Sequence, residues 1–100
     1  MVSIPKIPRD DVITVGATST EISPDLSTER IVYVITNTST AGQIISLGIG
    51  KEAVAGRGII LYPTGSWAES IDSAFHPTKA RITAIASAVG GSVTIHERVE

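Results

Sequence analysis

His76 and His96 are the residues of this chain best suited to acid–base work, because imidazole titrates nearest to neutrality. His76 stands beside Pro77 in a segment of loop character, and His96 lies in the last apolar-alternating run. A hydrolytic triad would need one of them held between a nucleophile and an orienting acid. Eleven serines are available, but none sits in a G-x-S-x-G elbow. In so serine-rich a chain, abundance alone brings some serine near a histidine. His96 and Glu97 are adjacent on an extended segment, so they point to opposite faces and cannot chelate one metal together. His96 and Arg98 share a face, expected to be solvated. The glycines at 48, 50, 56 and 58 do not match G-x-G-x-x-G, and no helix follows to bind an anion. They read as turn and bulge residues. Asn37-Thr38-Ser39 fits a glycosylation sequon and reads equally as turn chemistry. No catalytic residue, cofactor-binding residue or metal ligand is assigned, and no cofactor is expected.

Contact chemistry is better represented than reaction chemistry. Trp67, the sole tryptophan, follows a Pro63-Thr64-Gly65 turn and lies close to Tyr62 in sequence. Aromatic rings supply large contact areas, so Tyr62 and Trp67 are candidate interface residues. The alternative for Trp67 is a core position closing one end of the fold. Carbohydrate platforms usually cluster aromatic rings, and 4% aromatic content offers little to cluster. Near the N-terminus, Ile4, Pro5, Ile7 and Pro8 form a second interface candidate. They are apolar residues on a segment stiffened by two prolines, which lowers the ordering cost of docking.

The elements that must position these residues are strands. Fifteen Ile, nine Val and eleven Thr are β-branched, stiff at χ1 and suited to a pleated surface. One hundred residues fit one domain with a modest core. The chain has no cysteine, so disulfides and thiolate metal sites are excluded and stability must come from packing or assembly. A net charge of -2 without a Lys/Arg block lacks the footprint of a nucleic-acid binder. No apolar run reaches the roughly 20 residues of a membrane span, and Met1–Lys6 lacks the apolar core of a secretory signal. The Met1 start and charged end read as a complete frame.

Residues 1–11 are expected to be an extended N-terminal arm and residues 12–100 the folded domain. Strands are predicted at Val12–Ala17, around Glu21-Ile22, and at Arg30–Asn37, Ile44–Ile49, Ile59–Tyr62, Ser66–Ile71, Arg81–Ala88 and Ser92–Val99. In Arg30–Asn37, Ile31, Tyr33 and Ile35 share one face and Val32, Val34 and Thr36 the other. Both faces are largely apolar, which predicts a central strand covered on both sides. The Thr38–Gln43 turn predicts a hairpin to the next strand, and Val89-Gly90-Gly91 a C-terminal hairpin. Seven or eight short strands with regular turn signals predict an all-β fold, a single small antiparallel β-sandwich or jelly-roll-like barrel.

Several of these runs follow one another in a recognisable order. They are Ile35-Thr36-Asn37-Thr38-Ser39, then Ile45-Ser46-Leu47-Gly48, then Gly58-Ile59-Ile60-Leu61-Tyr62-Pro63-Thr64-Gly65-Ser66 with Trp67 and Glu69. Ile82-Thr83-Ala84-Ile85-Ala86 and Gly91-Ser92-Val93-Thr94-Ile95-His96-Glu97 close the series. Over residues 30–97 this resembles small structural proteins of tailed and related phages. The resemblance implies a non-enzymatic virion module of the capsid decoration (cement), head-fibre, vertex or tail type. Its implied partners are the major capsid protein or other virion proteins and further copies of itself, a trimer first, with no nucleic acid and no membrane. A receptor- or glycan-binding module of a tail or fibre is the alternative.

Overall fold

The computed structural model describes residues 7–99, with eight strands joined by turns and loops. They are β1 (Ile7–Val15), β2 (Thr20–Ser23), β3 (Arg30–Asn37), β4 (Ile45–Ile49), β5 (Ile59–Leu61), β6 (Ser66–Ser70), β7 (Ile82–Ala86) and β8 (Gly91–Val99). They form two four-stranded sheets, sheet A in the order β1-β8-β3-β6 and sheet B in the order β2-β7-β4-β5. Every pairing is antiparallel. The fold is therefore an all-β sandwich of eight strands.

Period-two alternation builds the core. Tyr33 and Ile35 of β3 and Val93 and Ile95 of β8 face Ile45, Leu47, Ile82 and Ala84 of sheet B, all of them buried. Small alanines on β7 opposite larger side chains let the layers interdigitate at the roughly 10 Å spacing of packed sheets. Burying such aliphatic side chains contributes about 1.5–3 kcal/mol each.

Three expectations change. Strand β1 begins at Ile7, five residues before the predicted start at Val12, and Ile7–Asp11 pair with Val99–Ile95. Residues 7–11 are thus part of the sheet, and the arm reading falls on residues 1–6, outside the described residues. Pro8 is tolerated because β1 is an edge strand, where a missing N–H breaks no inner ladder. The two predicted hairpins are inter-sheet turns, since β3 and β8 lie in sheet A while β4 and β7 lie in sheet B. Each partner buries a face best matched across the core, so the chain crosses over instead of folding back beside itself. The Gly90-Gly91 pair serves that crossing. Gly90 has φ +85°, and a Cβ on Gly91 would lie 2.7 Å from both the Val15 carbonyl and the Ala86 methyl. Finally, β3 is an inner strand of sheet A but is covered on one face only. Val32, Val34 and Thr36 remain half-buried on the outer face, because a two-layer sandwich has no third layer to cover them.

The Tyr62–Gly65 turn carries a local conflict. Gly65 N–H donates to the Tyr62 carbonyl at 2.7 Å, with Pro63 at the position it prefers. Thr64 takes φ 67°, the left-handed region that this type of turn reserves for glycine. A β-branched residue there costs on the order of 1–3 kcal/mol. Thr64→Gly keeps the backbone bond from Thr64 N–H to the Asn37 carbonyl and removes the strain. Against the added unfolded-state entropy, the net expectation is about 1 kcal/mol of stabilisation, read as a higher urea midpoint at unchanged m-value.

Candidate functional site

Three clusters of polar and aromatic side chains are built on this frame, two inward-facing and one on the outer face of sheet A. The first is a buried ionic clasp at the end of the sandwich near Ile7 and Val99. Arg30 is fully buried. Its Nε donates to Glu97 Oε2 at 2.6 Å, its Nη1 to the carbonyls of Thr78 and Ala80, and its Nη2 to Ser23 Oγ and the Pro24 carbonyl. Ser23 Oγ in turn donates to Glu97 Oε2 at 2.7 Å. Arg9 approaches Glu97 at 3.6 Å and donates to the Ile22 carbonyl. All five guanidinium donor directions of Arg30 are therefore used. The clasp ties β3, β8 and the loops around residues 24 and 78 together, which is a structural task.

The second cluster lies between β3 and β6. Tyr33 hydroxyl donates to Glu69 Oε1 at 2.6 Å and accepts from Trp67 Nε1 at 3.1 Å. Burial, reinforced by the Glu69 carboxylate, pushes the Tyr33 hydroxyl far above its ordinary range. It stays protonated and donating. Trp67 is 36% exposed and Tyr62 64% exposed, so Trp67 is half core and half surface, with its N–H directed into the molecule.

The third cluster is the outer face of sheet A. Strand registers lay its side chains in rows across the four strands: Pro8-Arg98-Val32-Ser70, Asp10-His96-Val34-Ala68 and Val12-Thr94-Thr36-Ser66. Val12 is 74% exposed. Asp10 Oδ1 and His96 Nδ1 lie 2.7 Å apart, and with Val12, Val34, Thr36 and Thr94 they line a shallow groove of about 260 Å³. The face mixes valine methyls with short hydroxyls and carries few long charged side chains, a composition suited to contact with another protein surface.

The sequence-predicted residues distribute as follows. Ile4 and Pro5 lie outside the described residues. Ile7 opens β1 opposite Val99, and Pro8 is exposed opposite Arg98. The structure does not bring Pro8 and Trp67 together, since β1 and β6 are opposite edges of sheet A. His76 Nδ1 lies 3.3 Å from Glu29 Oε2, so the hydrogen bond found for each histidine runs to a carboxylate. Among the described residues no group of three or more His, Asp or Glu is placed to hold a metal ion. Sequence reading takes Asn37 as turn chemistry and gives Arg30 and Glu97 no buried role, whereas all three are buried. Glu97 shares strand parity with Val93 and Ile95, which marks it as an inward acid in need of a partner.

No family model matches the chain, and no curated protein matches it. Among solved structures it is similar to a Bacillus endospore appendage chain, from a family described as disulfide-linked pili. The identity is 18% over 94% of this chain and 88% of that one, with a TM-score of 0.42. A likeness at that level bears on no residue and no function here. With no cysteine among its 100 residues, this chain cannot form a disulfide link of its own. The virion reading stands on the sequence motifs alone.

Proposed function

We propose that this chain is a non-enzymatic structural module of a virion, a decoration- or cement-type component that binds the capsid lattice or neighbouring copies of itself. The observation that carries the structural part is the uncovered outer face of β3, where Val32 and Val34 stand half-exposed beside Val12. Open strand edges on the same sheet add to it. The buried charges are engaged in clasping loops, which gives a stiff body on which contact surfaces are held. The virion assignment comes from the motif order over residues 30–97.

Light scattering on the 100-residue chain and on a version lacking residues 1–6 tests the assembly part. An oligomer, a trimer first, is expected for the full chain, and its weakening on truncation would give the N-terminal segment a role in docking. A monomer in both preparations overturns the assembly reading. Purified particles from the source organism should contain the chain in fixed ratio to the major shell protein, and its absence from them overturns the virion assignment. A receptor- or glycan-binding role draws support only from the 64% exposed Tyr62, because the Trp67 N–H is already engaged by Tyr33.

A further inference from the structure

We infer that copies of this chain join side by side through a seam in which β1 of one copy pairs with the open edge of β6 of the next. The inference rests on the assembly reading above and names the surface through which assembly proceeds. Sheet A ends in β1 on one side and β6 on the other. Because each neighbouring pair in β1-β8-β3-β6 is antiparallel, the first and fourth strands run in opposite directions. A second copy laid beside the first in the same orientation presents its β1 antiparallel to β6. Strand direction keeps alternating across the seam, and the new ladder lacks one donor, at Pro8.

Register follows from the rows. Even-numbered residues of both strands lie on the outer face, and odd-numbered ones on the inner face with Tyr33 and Glu97. A slip of one residue would turn every side chain to the wrong face. Copies held level place Val12 of the second copy opposite Ser66, Asp10 opposite Ala68 and Pro8 opposite Ser70. On the inner face they place Arg9 of the second copy opposite Glu69. That inner row reads Arg9-Glu97-Tyr33-Glu69 within one copy, so the next arginine meets an acid. Glu69 has no ion-pair partner among the described residues, and Arg9 Nε, 3.3 Å from Asp11 Oδ2 and 3.6 Å from Glu97 Oε1, makes no hydrogen bond to either. A slip of two residues one way sets Asp11 against Glu69, two like charges. The other way sets Ile7 there and leaves Arg9 opposite Trp67. The level register alone matches charge.

The remaining edges are blunted. Strand β5 has three residues, and β2 has four with a register shift, both ways of discouraging edge pairing. By contrast β1 has nine residues and β6 five without a register shift. Pro8, Arg9, Asp10 and Asp11 oppose indiscriminate pairing along β1, while the β6 register sets Arg9 against Glu69, an acid with no ion pair among the described residues. Such a head-to-tail contact makes a closed ring or an open filament, according to whether the rotation between copies closes.

A cysteine-free chain allows a clean cross-linking test. Opposed residues in an antiparallel pair lie about 4.5–5.5 Å apart at Cα, within disulfide reach. Val12 and Ser66 are both exposed on the outer face, so a Val12→Cys/Ser66→Cys variant should fold. On oxidation it is expected to give a covalent ladder or a covalent ring, and an equimolar mixture of the two single variants should give a mixed dimer. The offset pair Val12→Cys/Ser70→Cys should give neither. Dimers of Val12→Cys alone would overturn the seam in favour of β1 pairing with itself. An oligomer in light scattering without the Val12–Ser66 link would overturn the seam and leave assembly standing. A monomer would overturn both.

Discussion

Replacing Arg30 by methionine is expected to destabilise the fold by about 3–5 kcal/mol, the usual consequence of stranding one member of a buried ion pair. Domains of this size are stable by about 5–15 kcal/mol in total, so the variant should sit near the threshold of folding. A midpoint drop of well over 10 °C is the expected reading, since each kcal/mol moves Tm by roughly 4–8 °C here. The cause is particular. Without the guanidinium, Glu97 keeps only Ser23 and the more distant Arg9, while the carbonyls of Pro24, Thr78 and Ala80 lose their donor. Two further variants separate the contributions. Arg30→Lys keeps the charge but has three donors on one atom instead of a planar fork, and should fall between wild type and methionine. Arg30→Met with Glu97→Leu removes the stranded charge and should recover part of the loss, though not the loop anchoring. If the single methionine variant melts within a few degrees of wild type, the clasp contributes no more than a surface pair and its structural role is lost.

Legibility of the fold followed the strength of the alternation. The bounds of β3 are readable because a β-branched and aromatic run stands between two turns, and those of β8 because Val93, Ile95 and Glu97 keep one parity. Pairing partners were not readable. The turns after β3 and before β8 carry ordinary hairpin residues, yet each crosses between sheets, a choice made by the fit of side chains across the core. Arg30 was hidden for a sharper reason. Strict alternation would place it outward with Val32 and Val34, but a register shift between Arg30 and Val32 turns it inward to Glu97. A bulge of this kind leaves no residue signature in R-I-V. The start of β1 was masked by Pro8, which argues against a central strand but not against an edge. Of the candidate surface, Tyr62 and Trp67 could be singled out by type. The rows that give the outer face and the seam register their meaning exist only once four strands are aligned.

The buried clasp and the open edges serve one economy of design in the molecule. A sandwich without disulfides must fix its loops by polar contacts inside, and the Arg30 clasp does so near Ile7 and Val99. At the opposite end Asn37 does the same for the connections leaving β3, β5 and β7. Its Nδ2 donates to the carbonyls of Gln43 and Leu61 at 2.9 Å each, and its Oδ1 accepts from Ser39 N–H. Gln43 passes the constraint on, donating to the Val89 carbonyl. Both ends held in this way keep sheet A stiff enough to present an edge in a defined register.

Asn37→Ala is therefore expected to cost about 2–6 kcal/mol, from two buried carbonyls left without a donor at about 1–3 kcal/mol each. Asn37→Asp, nearly the same shape, should be worse at neutral pH. A carboxylate offers only acceptors, so it would face the Gln43 and Leu61 carbonyls with like partial charge inside a fully buried site. The two variants part company with pH. Burial raises the folded-state pKa of the introduced carboxyl above its unfolded value of about 3.9, because only the protonated form can donate again. A raised folded pKa means stability that is present below the unfolded value and lost as pH climbs through the folded one. The gap between Asn37→Asp and wild type should thus narrow on acidification toward pH 4 and widen toward pH 7, while the Asn37→Ala gap stays level. Urea midpoints for the three proteins across that range decide it. A pH-independent Asp variant would show that the side chain swings out to solvent and that the Gln43 and Leu61 carbonyls do not need Asn37.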